Sequence, residues 1–202
     1  MVTVREATAA DAAAVCRVHE ASIRGLGPEG YDERQVEAWA GDRSPADYDH
    51  LGDAGARYDT VALVDTGGET DGERETHTQG EADGEGKADS PGRVVGFGTL
   101  VPDSRDYLDD DAGVDPAGAV EAVYVHPDHA GAGVGSLLLS DLEREARDRG
   151  LASLGMHASL NAVGFYERHG YERVREVAHE FGGDDCGVTG TVVELWRRLD
   201  PV

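Results

Sequence analysis

The stretch HPDHAGAGVGSLLLSDLERE, His126 to Glu145, spaces three glycines two apart directly ahead of a leucine-rich pattern. Glycine costs backbone entropy and brings no side chain to pack. Gly131, Gly133 and Gly135 therefore imply a place where bare backbone is needed. From Val134 the apolar residues recur at Leu138, Leu142 and Ala146, with Leu137 and Leu139 beside them, which is helical spacing. Glu143–Arg147 and Glu145–Arg149 stand i,i+4 in the favourable order, and Gly150 is a natural stop. Upstream, AVEAVYV (Ala119–Val125) reads as a strand that Pro127 ends.

A strand, a Gly-x-Gly-x-Gly turn and a helix start together make an anion site. Unpaired N–H groups converge there, the helix dipole adds partial positive charge, and glycine lets a phosphate come close. A Walker loop is excluded, because Ser136 and Leu137 follow Gly135 where Lys and Ser/Thr are required. A dinucleotide fingerprint is also excluded, since the spacing is one residue short and no alternating βαβ order precedes it. A tight glycine turn without any ligand is the plain structural alternative.

Working outward, Val2–Arg5 alternates like a short strand, and Thr8 with Asp11 marks a capped helix start with an apolar face through Val15, Val18 and Ser22. A second short helix is expected over Asp32–Trp39. Thr60–Val64 and Arg93–Val101 are β-type runs. Leu151–Ala158 reads as a strand, Asn161–His169 as a helix stopped by Gly170, and Tyr171–Phe181 and Val188–Leu199 as two further strands. The order β-α-α-β-β-β-α-β-α-β-β predicts one α/β domain of mixed α+β topology. Asp65–Gly92 carries nine acidic residues, several glycines and almost nothing apolar. Such a segment cannot repay its ordering entropy, so it reads as a disordered low-complexity insertion at 65–92. A second, milder acidic loop spans Asp103–Gly118.

The 202 residues carry 41 acidic against 18 basic groups, a formal charge of −23, and Lys87 is the only lysine. An acidic surplus spread along the whole chain resembles a protein from a high-salt cytoplasm. There the Debye length falls to about 3 Å at molar ionic strength, and like carboxylates hardly repel. In dilute buffer the same surface pushes itself apart. The melting temperature is therefore expected to rise from low to molar KCl, and a flat dependence would refute the high-salt reading. The charge disfavours nucleic acid and anionic membranes as partners. Cys16 and Cys186 are too few for a disulfide framework and lack metal-ligand spacing, so no metal site is expected. The first fifteen residues show no basic region before a long apolar core, and no apolar run approaches ~20 residues. A cytoplasmic protein is the expectation.

VYVHPDHAGAGVGSLLL resembles the acyl-CoA-binding motif of the GCN5-related N-acetyltransferase (GNAT) family, here Ala130-Gly131-Ala132-Gly133-Val134-Gly135 after a strand. NAVGFYERHGYE, Asn161–Glu172, is similar to that family's second signature, and VREATAADAAAV to its first strand and helix. The resemblance covers nearly the whole chain apart from the acidic insertion. It implies a single domain over residues 1–202, built on a central, mostly antiparallel sheet with a splayed strand pair and flanked by about four helices. It also implies acetyl-CoA as co-substrate and an amine acceptor, either a small molecule or a peptide, and it is compatible with a homodimer.

In that reading Val123 and Val125 bond the pantetheine arm along the splayed strand. The N–H groups of Gly131, Ala132, Gly133, Val134, Gly135 and Ser136 hold the pyrophosphate, and Asn161 and Tyr166 lie near the thioester. Ala130 stands where the family usually has Arg or Gln, and Ala132 where a basic residue is frequent. The loop is thus expected to rely on amides alone, exposed arginine contacts being weak at molar salt.

Acetyl transfer to an amine requires a neutral nucleophile, a polarised thioester carbonyl and a proton for the departing thiolate. Glu121, a carboxylate inside an apolar strand, is the candidate base, placed by two-residue alternation on the face of Val123 and Val125. Its alternative is an exposed charge on the outer face. His157 is the rival base. Tyr166 is the candidate acid, since a phenol with pKa near ~10 can protonate a thiolate, or it is a packed aromatic beside Phe165. A covalent cysteine route is disfavoured, as neither Cys16 nor Cys186 has a base at recognisable spacing. The competing class is a non-catalytic acyl-CoA-binding or sensor module with the same fold.

Overall fold

The computed structural model describes residues 1–53, 55, 57–65, 92–104, 108, 114–182 and 187–200. The acidic insertion, apart from its end residues 65 and 92, lies outside them, as does Cys186. The elements run β1 (Val2–Glu6), α1 (Ala12–Leu26), α2 (Glu33–Ala40), β2 (Tyr58–Val64), β3 (Arg93–Pro102) and β4 (Gly118–Val125). They continue through α3 (Val134–Asp148), β5 (Ser153–Ser159), α4 (Val163–Arg168), β6 (Glu172–Phe181) and β7 (Val188–Arg198). This is the order expected from the sequence, with ends moved by a residue or two.

One seven-stranded sheet runs β1-β2-β3-β4-β5-β7-β6. Every pairing is antiparallel except β4 with β5, which are parallel and meet at Ala119 and Gly155 alone. Past that point the two strands diverge, leaving a gap in mid-sheet: this is the splayed pair.

The helices form for local reasons and dock for apolar ones. Asp11 accepts the Thr8 N–H at 2.8 Å and both terminal nitrogens of Arg5 at 2.8 Å, tying β1 to the turn that starts α1. Val15, Val18 and Ser22 of α1 are buried as their spacing predicts. On the opposite face of the sheet, α3 buries Val134, Leu138, Leu139, Leu142 and Ala146, while Leu137 is exposed. Tyr166 of α4 packs in the same cluster as Leu139 and Leu142, so α3 and α4 share one face and α1 and α2 the other. Among the described residues no helix is long and apolar enough to cross a membrane.

One expectation is overturned here. In the β3–β4 ladder Leu100 pairs with Val120 and Thr99 with Ala122, so Glu121 is the extra residue of a β-bulge. The bulge breaks the two-residue alternation. Val120 and Val123 pack with the α3 cluster, whereas Ala122 and Tyr124 pack with the α1 cluster. Glu121 consequently opens beside Ala122 and Tyr124 on the α1 side, and not on the face of Val123 and Val125.

Candidate functional site

The β4–β5 gap opens into a cleft of about 430 Å³ walled by α1, α2, β4, the glycine turn, the end of β5 and α4. Beyond β4 the chain makes a short 3-10 turn at Pro127–His129 and then needs two left-handed residues, Gly131 (φ +73°) and Gly133 (φ +85°), to swing into α3. A Cβ on either glycine would meet nothing within 4 Å. Backbone conformation and an open approach, not crowding, are why glycine stands there.

The amides behave as the anion-site reading requires. The Ala132 N–H reaches His129 O at a long 3.4 Å, and the Leu137 N–H closes the first helical bond on Gly133 O at 3.1 Å. Those of Gly131, Gly133, Val134, Gly135 and Ser136 find no acceptor among the described residues.

Of the expected cofactor-binding residues, Val123, Val125, Gly131, Gly133, Gly135, Ser136 and Asn161 line this one cleft. Val134 turns its side chain into the core at 1% exposure and Ala132 turns outward, so only their amides can serve. The Ser136 hydroxyl is 3.0 Å from His169 Nε2, and His169 Nδ1 is 2.8 Å from Phe165 O. The carbonyl can only accept, so Nδ1 carries a proton. Asn161 Nδ2 donates to Leu26 O at 3.1 Å, but its Oδ1 is buried without a partner among the described residues. A buried unpaired acceptor costs about 1–3 kcal/mol, so this oxygen suits a ligand N–H. Free amides, an open glycine cradle and an orphaned amide oxygen together fit a pantetheine diphosphate.

Side chains from outside the glycine run also border the cleft. His129, Arg168 and His169 line the cleft, and Arg93 lies 3.3 Å from His129. Cationic and protonatable groups therefore reach the site from α4 and the turn, where Ala130 and Ala132 supply none. Sequence spacing could not reveal Arg168 and His169, because α4 meets the turn only through tertiary packing.

Tyr166 is 6% exposed and, contrary to its expected place in the site, does not line the cleft, although its neighbours Ala162 and Phe165 do. Its hydroxyl makes no hydrogen bond with a described residue. Burial, and then the neighbouring Tyr124, push its pKa well above the usual phenol value. Tyr124, which sequence reading passed over, does line the cleft. Burial raises its pKa to about 12, against the opposing pull of Arg43 and of a hydrogen bond from Trp39. Both phenols thus keep their protons at neutral pH. They approach the β4–β5 gap from opposite faces of the sheet.

Glu121 forms an ion pair with Arg57 and lines a second cavity of about 500 Å³ on the α1 side. Tyr124 is common to both cavities. His157 lines neither: its Nε2 lies 3.8 Å from the buried Glu194, which Arg175 also holds at 2.9 Å. Cys16 is buried in α1, and burial raises its thiol pKa, which suits no nucleophile.

Residues 84–173 match the family model described as the acetyltransferase (GNAT) domain. Over 62 residues the chain is 37% identical to the uncharacterized N-acetyltransferase YjcF of Bacillus subtilis (strain 168), covering 31% of this chain and 44% of that protein. The match thus spans less than half the length of this curated relative. Among solved structures, a GCN5-related N-acetyltransferase from Rhodopseudomonas palustris superposes with TM-score 0.66 at 25% identity, covering 98% of this chain and 95% of its own. The PaiA N-acetyltransferase of Thermoplasma acidophilum, solved with coenzyme A, gives TM-score 0.61 at 14% identity over 98% and 99%. A phosphinothricin acetyltransferase from Sinorhizobium meliloti, solved with AcCoA, gives 0.61 at 17% over 98% and 88%. The last two likenesses are of fold.

Proposed function

We propose that this chain, which carries a GNAT acetyltransferase domain in residues 84–173, is an acetyl-CoA-dependent N-acetyltransferase that lets an amine attack directly in a ternary complex. The observation that carries the reading is the meeting of unpaired amides, from Gly131 to Ser136, with the orphaned Asn161 Oδ1 in one cleft that ends at Tyr124. Two of the superposable proteins were solved with CoA or AcCoA.

Acetyl-CoA supplies the activated thioester; the chain's own residues do the rest. Five free N–H groups and the α3 dipole hold the diphosphate, helped by Arg168. Val123 and Val125, unpaired toward β5 beyond the single bridge, offer backbone groups to the pantetheine arm and a donor to the thioester carbonyl. Glu121, held by Arg57, takes the proton from the incoming ammonium on the α1 side, directly or through water. Tyr166, which does not itself line the cleft, gives its proton to the departing thiolate through Tyr124 at the gap, and the phenol is reprotonated by the second proton that the attacking nitrogen sheds as the amide forms. Base and acid stand on opposite sides of the sheet, which is what attack through the gap requires. The acidic surface supports work in a high-salt cytoplasm.

The test is to incubate the protein with acetyl-CoA and a panel of amines in molar KCl and follow free thiol. Amine-dependent release supports the enzyme. Tight CoA binding with no release from any amine would make it a binding module. Glu121→Gln is expected to lower kcat about 10²-fold at neutral pH, with partial recovery at high pH where free amine accumulates. An unchanged pH–rate profile would remove Glu121 from the base role.

A further inference from the structure

The second cavity is the least explained feature of the molecule. It lies between α1, the segment after α2 and the α1 face of β2–β4, with Tyr48, Phe97 and Tyr124 among its walls. Three carboxylates face it, and each is engaged. Glu121 pairs with Arg57, Asp59 accepts the Thr99 hydroxyl at 2.6 Å with His50 4.0 Å away, and Asp47 accepts the Ser44 N–H at 2.7 Å. Arg43 is different. It is half-buried, it lines the cavity, and it makes no ion pair with a described carboxylate. One nitrogen donates to the carbonyls of Trp39 and Ala40 at the end of α2, leaving the rest of the guanidinium uncommitted. Arg43 shares the cavity lining with His19, Tyr48 and Tyr124.

In a chain with 41 acidic and 18 basic residues, Arg43 caps the end of α2 through one nitrogen and keeps its remaining guanidinium donors for another partner. Guanidinium binds carboxylate in a two-pronged geometry that no ammonium matches. The cavity also holds Glu121, paired with Arg57, near the Tyr124 wall it shares with the cleft, where an incoming ammonium would compete with Arg57 for the carboxylate. Opposite charges at two places on an aromatic floor select a molecule that is cationic at one end and anionic at the other.

We propose that this cavity is the acceptor site and that the acceptor is a free amino acid, its carboxylate on Arg43 and its amine between Glu121 and Tyr124. The proposal rests on the transferase reading above for its chemistry, but the carboxylate site can be tested without turnover. The walls of Leu51, Phe97 and Tyr48 suit a large apolar side chain.

The full chain in molar KCl is assayed with L-phenylalanine and with phenethylamine, which differ by the carboxylate. In parallel, N-acetyl-L-phenylalanine and N-acetylphenethylamine are titrated calorimetrically in the presence of CoA. The native protein is expected to prefer the carboxylated partner of each pair by about 30-fold, the effect of one hydrogen bond to a charged group. Arg43→Gln, which keeps a donor for the α2 carbonyls, is expected to collapse that preference, and Arg43→Lys to restore part of it. Equal treatment of the paired compounds by the native protein, or an undiminished preference in Arg43→Gln, overturns the proposal. Arg43-dependent product binding without thiol release supports the carboxylate site and overturns the transferase reading instead.

Discussion

Tyr166→Phe is expected to lower kcat by about 10²–10⁴-fold, the span removed with one positioned proton donor, while acetyl-CoA affinity stays within about twofold because ring packing is retained. The ring sits at 6% exposure among Leu139, Leu142 and Val163, so Phe fills the same volume. What is lost is one O–H that no described residue accepts. Because burial and Tyr124 hold the pKa of this phenol above its ordinary value, it cannot lose its proton as pH rises through neutrality. The phenol therefore stays protonated across the physiological range, and any rising limb of the pH–rate profile belongs to the amine and its base. Tyr124→Phe is the informative comparison. Tyr124 lines both cavities, so its loss disturbs acceptor and thioester together, and KM for the amine is expected to move with kcat. A native kcat in Tyr166→Phe, with the large loss appearing in Tyr124→Phe, would transfer the acid role to Tyr124.

Gly133→Val is expected to reduce CoA affinity by about 10²–10³-fold. Gly133 has φ +85°, where an L residue costs roughly 1–2 kcal/mol and a β-branched one more. Relief of that strain turns the peptide and withdraws amides from the diphosphate, each contact to a charged group being worth about 1.5–3 kcal/mol. Gly150 provides the control. It has φ +77° and open space around its Cβ position, but sits at the other end of α3. Gly150→Val should bear a similar strain and lose similar stability while binding CoA normally. Calorimetric titration of CoA and thermal melts of both variants separate strain from ligation. If the two variants bind CoA equally well, the glycine turn is structural and the cradle assignment fails.

Much of this molecule is written in local pattern. The α3 stripe from Val134 to Ala146, the Thr8–Asp11 cap, the stops at Gly150 and Gly170 and the left-handed glycine turn are all decided within a few residues of chain. Periodicity and backbone sterics reach no further than that, and they suffice for the order of the α-helices and strands among the described residues. They also place the glycine turn, whereas Asn161 was named by resemblance to the GNAT family's second signature, and the fold leaves its Oδ1 without a partner among the described residues.

Where chemistry depends on partners far apart in the chain, the pattern was silent or misleading. Glu121 changed face because β4 carries one residue more than β3 opposite it, a property of the pair that neither strand shows alone. Tyr124, on the same side of that bulge, became the wall between two cavities. Arg168 and His169 line the same cleft as the glycine turn, where Ala130 and Ala132 bring no charge, because α4 packs beside the start of α3. Arg43 faces an aromatic cavity only because the segment after α2 folds back over the sheet. The sequence by itself determined which segments are helix, strand and turn, since those depend on near-neighbour sterics and burial periodicity. Tertiary structure decided which side chains share a cavity, since strand register and helix docking are set by contacts between residues remote in the chain.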